Sequence, residues 1–226
     1  MGIIEKNIKW FFSVILLLYA GCSPCFNTLQ TARMLPPKTV EFTPSVSWFS
    51  ELDPEFLWYQ RCYGGRLGIG LTPKINLYGH YGVVEYGLQD DEKSHYTLNI
   101  TALGLKLDMT KPADNKTRGA LYIPVGTCFK KITDRLDLIV IQPTMILTRP
   151  VTKRLDLLFS TVFSFTKIQG SHGIGKFAAQ NIGLDVNLFV KGLSLRPEIG
   201  IGVAEGGGKA WQYSIALSYA PSGYIK

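Results

Sequence analysis

The stretch GSHGIGKF, residues 170–177, comes nearest in this chain to a catalytic or cofactor motif. In a phosphate-binding loop, glycine amides cradle the phosphates, a lysine reaches them, and a Ser or Thr after the lysine holds magnesium. Here Phe177 stands in that last position, and the stretch lies in a glycine-rich loop with no helix pattern behind it. Nucleotide binding is therefore not expected. Gly68-x-Gly70 lacks the third glycine and following helix of a dinucleotide site. The histidines are His80, His95 and His172. A Ser/His/acid set needs its nucleophile and base within hydrogen-bond reach, and nothing in the spacing brings a serine to His80. A polar interior histidine is the expectation, with a lipid-modifying enzyme built on His80 as the alternative.

Charge and cysteine content narrow the remaining chemistry. The chain carries 24 Lys and Arg against 17 Asp and Glu, a net charge of +7. Its basic residues are scattered among turns, for example Lys74, Lys93, Lys111, Lys116, Lys153 and Lys167, without interleaved aromatics. That distribution argues against nucleic acid and suits a solvated periphery or acidic lipid and lipopolysaccharide head groups. The four cysteines form no CxxC pair and no zinc-ligand spacing, so neither metal nor cofactor is expected. Cys62 and Cys128 either bridge or remain two unpaired thiols.

The elements that position these residues read as strands. VTKRLDLLFSTVFSFT, residues 151–166, puts Leu155, Leu157, Phe159, Phe163 and Phe165 on one face. Asp156, Ser160, Ser164 and Thr166 fall on the other, with Leu158 and Val162 breaking the pattern. Successive strand side chains point to opposite sides, so this alternation predicts a strand. Its opening recurs as LTPKINL at 71–77 and ITDRLDL at 132–138, each a turn followed by a new strand.

The same period predicts strands beginning near residues 38, 60, 75, 95, 121, 135, 155, 182, 194 and 211, ten in all. A bulge near Thr101 is expected in the fourth, where Leu98 and Ile100 sit on one parity and Leu103, Leu105 and Leu107 on the other. The sixth, 135–147, is almost wholly apolar, and residues 167–178 are expected to be loop. Strands of about 10–13 residues match the ~9–11 tilted residues that cross a bilayer.

The polar face decides between a soluble and a membrane barrel. A soluble barrel turns its apolar face inward and clothes the outside in Lys and Glu. Here the polar face holds mostly Gly, Ser, Thr and Asn, with a few charges of both signs. Small residues suit a crowded interior, and the scarcity of Lys and Arg on the apolar face suits lipid. Aromatics near strand ends, such as Trp48, Tyr63, Tyr96, Phe129, Trp211 and Tyr219, fit interfacial girdles. Glu41, Arg66, His80, Asp156, Asp185, Asn187, Arg196 and Glu198 are then lumenal. They either line a narrow path for small solutes or pair with one another, since buried charges demand partners. A barrel of this size leaves little room, so a filled or very narrow interior is expected. The fold class that follows is all-β, an antiparallel up-and-down transmembrane barrel of about ten strands.

The N-terminus supplies the address. Lys6 and Lys9 precede an apolar run, Trp10 to Gly21, too short to span a membrane as a helix, which needs ~20 residues. It fits a secretory signal peptide over residues 1–21. Leu18 to Cys22, LYAGC, resembles a bacterial lipobox, with Tyr19 as a departure, and so marks Cys22 as the lipid attachment point. Residues 22–37 lack periodicity and end in two prolines, which predicts a periplasmic tether. The barrel then runs over 38–220 and a short C-terminal tail over 221–226. An even strand count brings both ends out on the periplasmic side.

With the LQTARMLPP lead-in at 29–37, the three turn-and-restart motifs and a final aromatic-alternating strand at 211–219, the chain resembles small bacterial outer-membrane β-barrels of OmpW- or OmpX-like type. APSGYIK follows that last strand, where such chains usually stop at an aromatic. The resemblance implies an outer-membrane location, contact with outer-membrane lipid and delivery by the barrel-assembly machinery. It carries over no catalytic residue. A structural, binding or narrow-channel role is expected, with a soluble lipocalin-like lipoprotein as a further alternative.

Overall fold

The period-two segments pair into one continuous antiparallel sheet in the computed structural model, which describes residues 29–51, 58–88, 91–110, 117–129, 138–168, 173–205 and 208–224. Its strands are β1 (Val40–Glu51), β2 (Trp58–Thr72), β3 (Ile75–Leu88), β4 (Asp91–Asp108), β5 (Arg118–Phe129), β6 (Leu138–Ile141), β7 (Thr144–Pro150), β8 (Leu155–Ile168), β9 (Gly175–Asn187), β10 (Leu193–Ala204) and β11 (Lys209–Tyr219). Each pairs with its neighbours, and β1 pairs with β11, from Phe42 opposite Tyr219 to Glu51 opposite Ala210. The sheet therefore closes on itself. Closure leaves no open edge, which is what a sheet in lipid requires.

The eleven segments make ten staves. β6 and β7 lie end to end and both pair with β5 on one side and β8 on the other. Pro143 lacks an amide N–H and interrupts the ladder, but the register carries across it. Gln142 N donates to Pro124 O at 3.0 Å, and Phe163 N donates to Pro143 O at 3.0 Å. The almost wholly apolar sixth strand is thus one stave with a proline break.

The apolar face looks outward. Phe42, Leu67, Tyr81, Leu103, Phe163, Ile201 and Leu217 are exposed, while Thr43, Arg66, Ser164, Arg196 and Ser218 are buried. This sidedness rules out the soluble lipocalin-like alternative, whose apolar residues would fill the centre. The barrel is of the outer-membrane type, with Trp48, Tyr63, Tyr213 and Tyr219 among its exposed aromatics.

Three local expectations are corrected. The bulge near Thr101 is absent: Ile100, Thr101 and Ala102 pair in unbroken register with Cys128, Thr127 and Gly126. Ile100 is buried in the lumen while Leu103 and Leu105 face out, so the change of parity marks apolar residues inside, not an extra residue. β9 begins at Gly175, within the stretch expected to be loop, and ends at Asn187, leaving Phe189 and Val190 exposed in a turn. Gly192 closes that turn at φ 79°, a conformation that favours glycine. Residues 29–36, expected as part of a tether, lie inside the barrel: Leu29 and Leu35 are 0 % exposed.

Candidate functional site

The described termini meet at one end of the lumen, the periplasmic end in barrels of this class. β1, β3 and β10 begin there, and β2, β4 and β11 end there. Alternation aims Glu41, Arg66, Tyr78, Lys106, Asp156, Asp185 and Arg196 inward from these and neighbouring strands, and all are buried. Residues 29–36 run among them as an inner segment, referred to below as the plug.

The barrel holds the plug largely by its backbone. Lys106 Nζ donates to Thr31 O at 2.9 Å and to Arg33 O at 2.6 Å. Arg66 Nη2 and Arg196 Nη1 donate to Leu29 O at 3.2 and 3.3 Å. In the other direction, Ala32 N donates to Thr148 Oγ1 at 2.6 Å. One plug side chain carries charge to the wall: Arg33 Nη2 lies 2.6 Å from Asp156 Oδ2 and 2.7 Å from Oδ1. The segment has no secondary structure of its own, so these bonds satisfy backbone groups that would otherwise be buried unpaired.

A second network locks the wall beside it. Arg196 Nη1 sits 2.8 Å from Glu41 Oε1, and its Nε sits 3.1 Å from Asp185 Oδ1. Ser218 Oγ donates to Glu41 Oε1 at 2.6 Å, and Tyr78 donates its hydroxyl to Glu41 Oε2 at 3.0 Å. Tyr224, in the stretch expected to be a free tail, returns to the lumen. It donates to Glu41 and accepts from Arg196 Nη2. Burial pushes the Tyr224 hydroxyl above its ordinary range, and the Glu41 carboxylate adds to the shift against the opposing pull of Arg196. It therefore stays protonated as a donor.

Tyr78 links this network to the plug. Its ring lies 5.2 Å from Arg66 Cζ and 5.5 Å from Lys106 Nζ, within cation–π range, and meets Tyr122 edge-on at 5.8 Å. The Gly68-x-Gly70 pair explains itself here. A side chain at Gly68 would strike the Tyr78 ring, and one at Gly70 would strike Pro36 O where the plug leaves the barrel.

The expected lumenal residues divide by position. Glu41, Arg66, Asp156, Asp185 and Arg196 converge on the plug and its wall. His80 lies farther along β3, over Gly64 and Gly82. Glu198 lies on β10, where Gln212 Nε2 donates to it at 3.5 Å. Asn187 is only half-buried and donates to Arg154 O at 3.5 Å, which places it at the rim. Arg33, Lys106, Thr148 and Tyr224 are additions to the expected set. Lys106 was legible, because it lies on the strand parity opposite the apolar face of Leu103, Leu105 and Leu107. The GIGKF end of the loop motif leads into β9, and Phe177 packs over Gly202, so no helix stands behind it. Cys22, His172 and residues 1–21 lie outside the described residues.

Toward the other end the lumen changes character. Phe49, Cys62, Val84, Ile100, Ala102, Cys128, Leu138 and Val140 pack into one buried apolar cluster. Cys62 and Cys128 lie within it as buried thiols that form no disulfide.

No known family profile and no curated protein matches the chain. Among solved structures, it is similar to an outer-membrane channel of Pseudomonas putida F1, at 10% identity and a TM-score of 0.54, over 83% of this chain and 97% of that one. The β-domain of the Bordetella autotransporter BrkA aligns at 10% identity and a TM-score of 0.49, over 80% and 99%. The N-terminal barrel domain of Pseudomonas aeruginosa OprF aligns at 14% identity and a TM-score of 0.35, over 81% and 98%. The first of these shares the barrel fold with this chain.

Proposed function

We propose that this outer-membrane barrel is filled and non-conducting, and acts as a structural or ligand-binding protein anchored in the membrane. The observation that carries the reading is that inward side chains are buried at both ends of the lumen, against the plug at one and at the other in the Phe49–Ile100–Val140 cluster together with Gln60, Thr166 and Gln212. A passage for ions would have to breach both. The reading includes no catalytic step, so His80→Ala should leave the acyl composition of outer-membrane lipid unchanged. It also includes a lipid on Cys22, placed in the leaflet nearest the plug. Intact-mass measurement of wild type against Cys22→Ala tests that lipid.

A narrow solute channel gated by the plug is the second reading. It is favoured by the way Lys106, Arg66 and Arg196 grip backbone carbonyls, contacts that water could replace. Planar-bilayer recordings of the refolded full chain and of an Arg33→Ala/Lys106→Ala variant separate the two. Silence in both supports the filled barrel. Steady conductance of the wild type contradicts it, and conductance of the variant alone makes the plug a gate.

A further inference from the structure

The plug occupies a place built to recognise a basic residue. Arg33 and its neighbour are held at three points: the Arg33 guanidinium by Asp156 on β8, the Arg33 carbonyl by Lys106 on β4, and the Ala32 N–H by Thr148 on β7. These are a carboxylate, an ammonium and a hydroxyl, set on three walls of the lumen. We infer that the volume filled by residues 31–33 is a binding site for short peptides ending in arginine or lysine, reached from the plugged end. The inference rests on the ligand-binding side of the function proposed above.

Charge supplies the reason an outside ligand can compete with a tethered segment. The plug offers Lys106 only neutral carbonyls. A peptide whose last residue is basic offers it a full carboxylate at the position of Arg33 O, while its guanidinium or ammonium takes Asp156. The exchange turns a bond between an ammonium and a neutral carbonyl into one between two opposite charges, which adds a full Coulomb attraction in a buried site. The plug's own advantage is its tether, equivalent to a local concentration of roughly millimolar for a short link. Asp156 also requires a replacement: it pairs across the sheet with Asp185, whose carboxylate is engaged by Arg196. A buried carboxylate left without its cation is costly, so displacement favours ligands that bring one.

Titration calorimetry on the refolded full chain, with the dipeptides Ala-Arg, Ala-Ala and Ala-Glu as probes, tests this. Arg33→Ala vacates the guanidinium position without altering the barrel wall and should bind Ala-Arg about tenfold more tightly than wild type, the effect of one bond to a charged group. Ala-Ala and Ala-Glu should bind at least about tenfold more weakly than Ala-Arg. Adding Asp156→Asn to Arg33→Ala should abolish that preference. Equal binding of all three dipeptides, or no binding of Ala-Arg to Arg33→Ala, overturns the inference. Conductance is a separate readout: silent bilayers with no Ala-Arg binding sink the site and leave the filled barrel standing, whereas conducting wild type with Ala-Arg binding does the reverse.

Discussion

The two ends of the lumen solve one packing problem with different chemistry. At the plugged end Glu41, Asp185, Arg196 and Tyr224 form a closed network around a segment with no secondary structure. At the other end Phe49, Val84, Ile100, Leu138 and Val140 pack against one another on the side made by β1 to β6, with Thr166 and Gln212 buried on the side opposite. Both sets point inward by the same period of two, so strand geometry does not distinguish them. What they meet does. A segment with bare backbone groups needs donors and acceptors from the wall, while a wall facing only itself can be apolar, because burying apolar surface is favourable and leaves no polar group unpaired.

The contrast can be broken most severely at Arg196. Arg196→Met leaves Glu41 and Asp185 buried without their shared cation. About 3–5 kcal/mol of stability should be lost, read as a lower urea midpoint in lipid vesicles. Next is Leu103→Arg, near the middle of β4 and facing outward. A cation there should cost about 2–4 kcal/mol by the same measurement, although Lys106, three residues along, is accommodated inside. At the apolar end, Ile100→Ala should cost about 2 kcal/mol, through lost burial and the cavity it leaves.

Tyr224→Phe is the smallest change and should cost about 1 kcal/mol at neutral pH. Its pH dependence has a definite sign. A hydroxyl whose folded pKa is raised is neutral in both states below about pH 10 and disfavours the folded state only above it. Wild-type stability should therefore fall above that pH, and Tyr224→Phe should lessen the fall. An equal alkaline loss in the variant would show that Tyr224 does not contribute to it.

Alternation made the staves and their sidedness legible because the period of two survives wherever one face meets lipid. Glu41, Arg66, Asp185, Arg196 and Glu198 were placed inward on that ground alone. The same rule misled wherever the interior was itself apolar. Leu158 and Val162 broke the alternation because they are lumenal and buried, and Ile100 suggested a bulge for the same reason. The plug was not legible. An aperiodic LQTARMLPP has the composition of a tether, and what sets it inside is a three-dimensional match between its carbonyls and Lys106, Arg66 and Arg196. The one available hint was Lys106, a lysine on the lumenal parity of a strand. Tyr224 escaped for a similar reason: four residues separate it from the end of β11, and what holds it inside is Glu41 and Arg196 on other strands.

Proximity of the plug to the wall is the claim on which the rest depends, and crosslinking measures it directly. With the four native cysteines replaced by alanine, Ala32→Cys and Thr148→Cys should join through a disulfide or a short bifunctional thiol reagent in the folded, vesicle-inserted protein. Proteolytic fragments should then link the plug peptide to the strand bearing residue 148. Folded barrel that yields no such fragment, while both thiols remain open to labelling, would contradict a lumen filled by its own N-terminal segment.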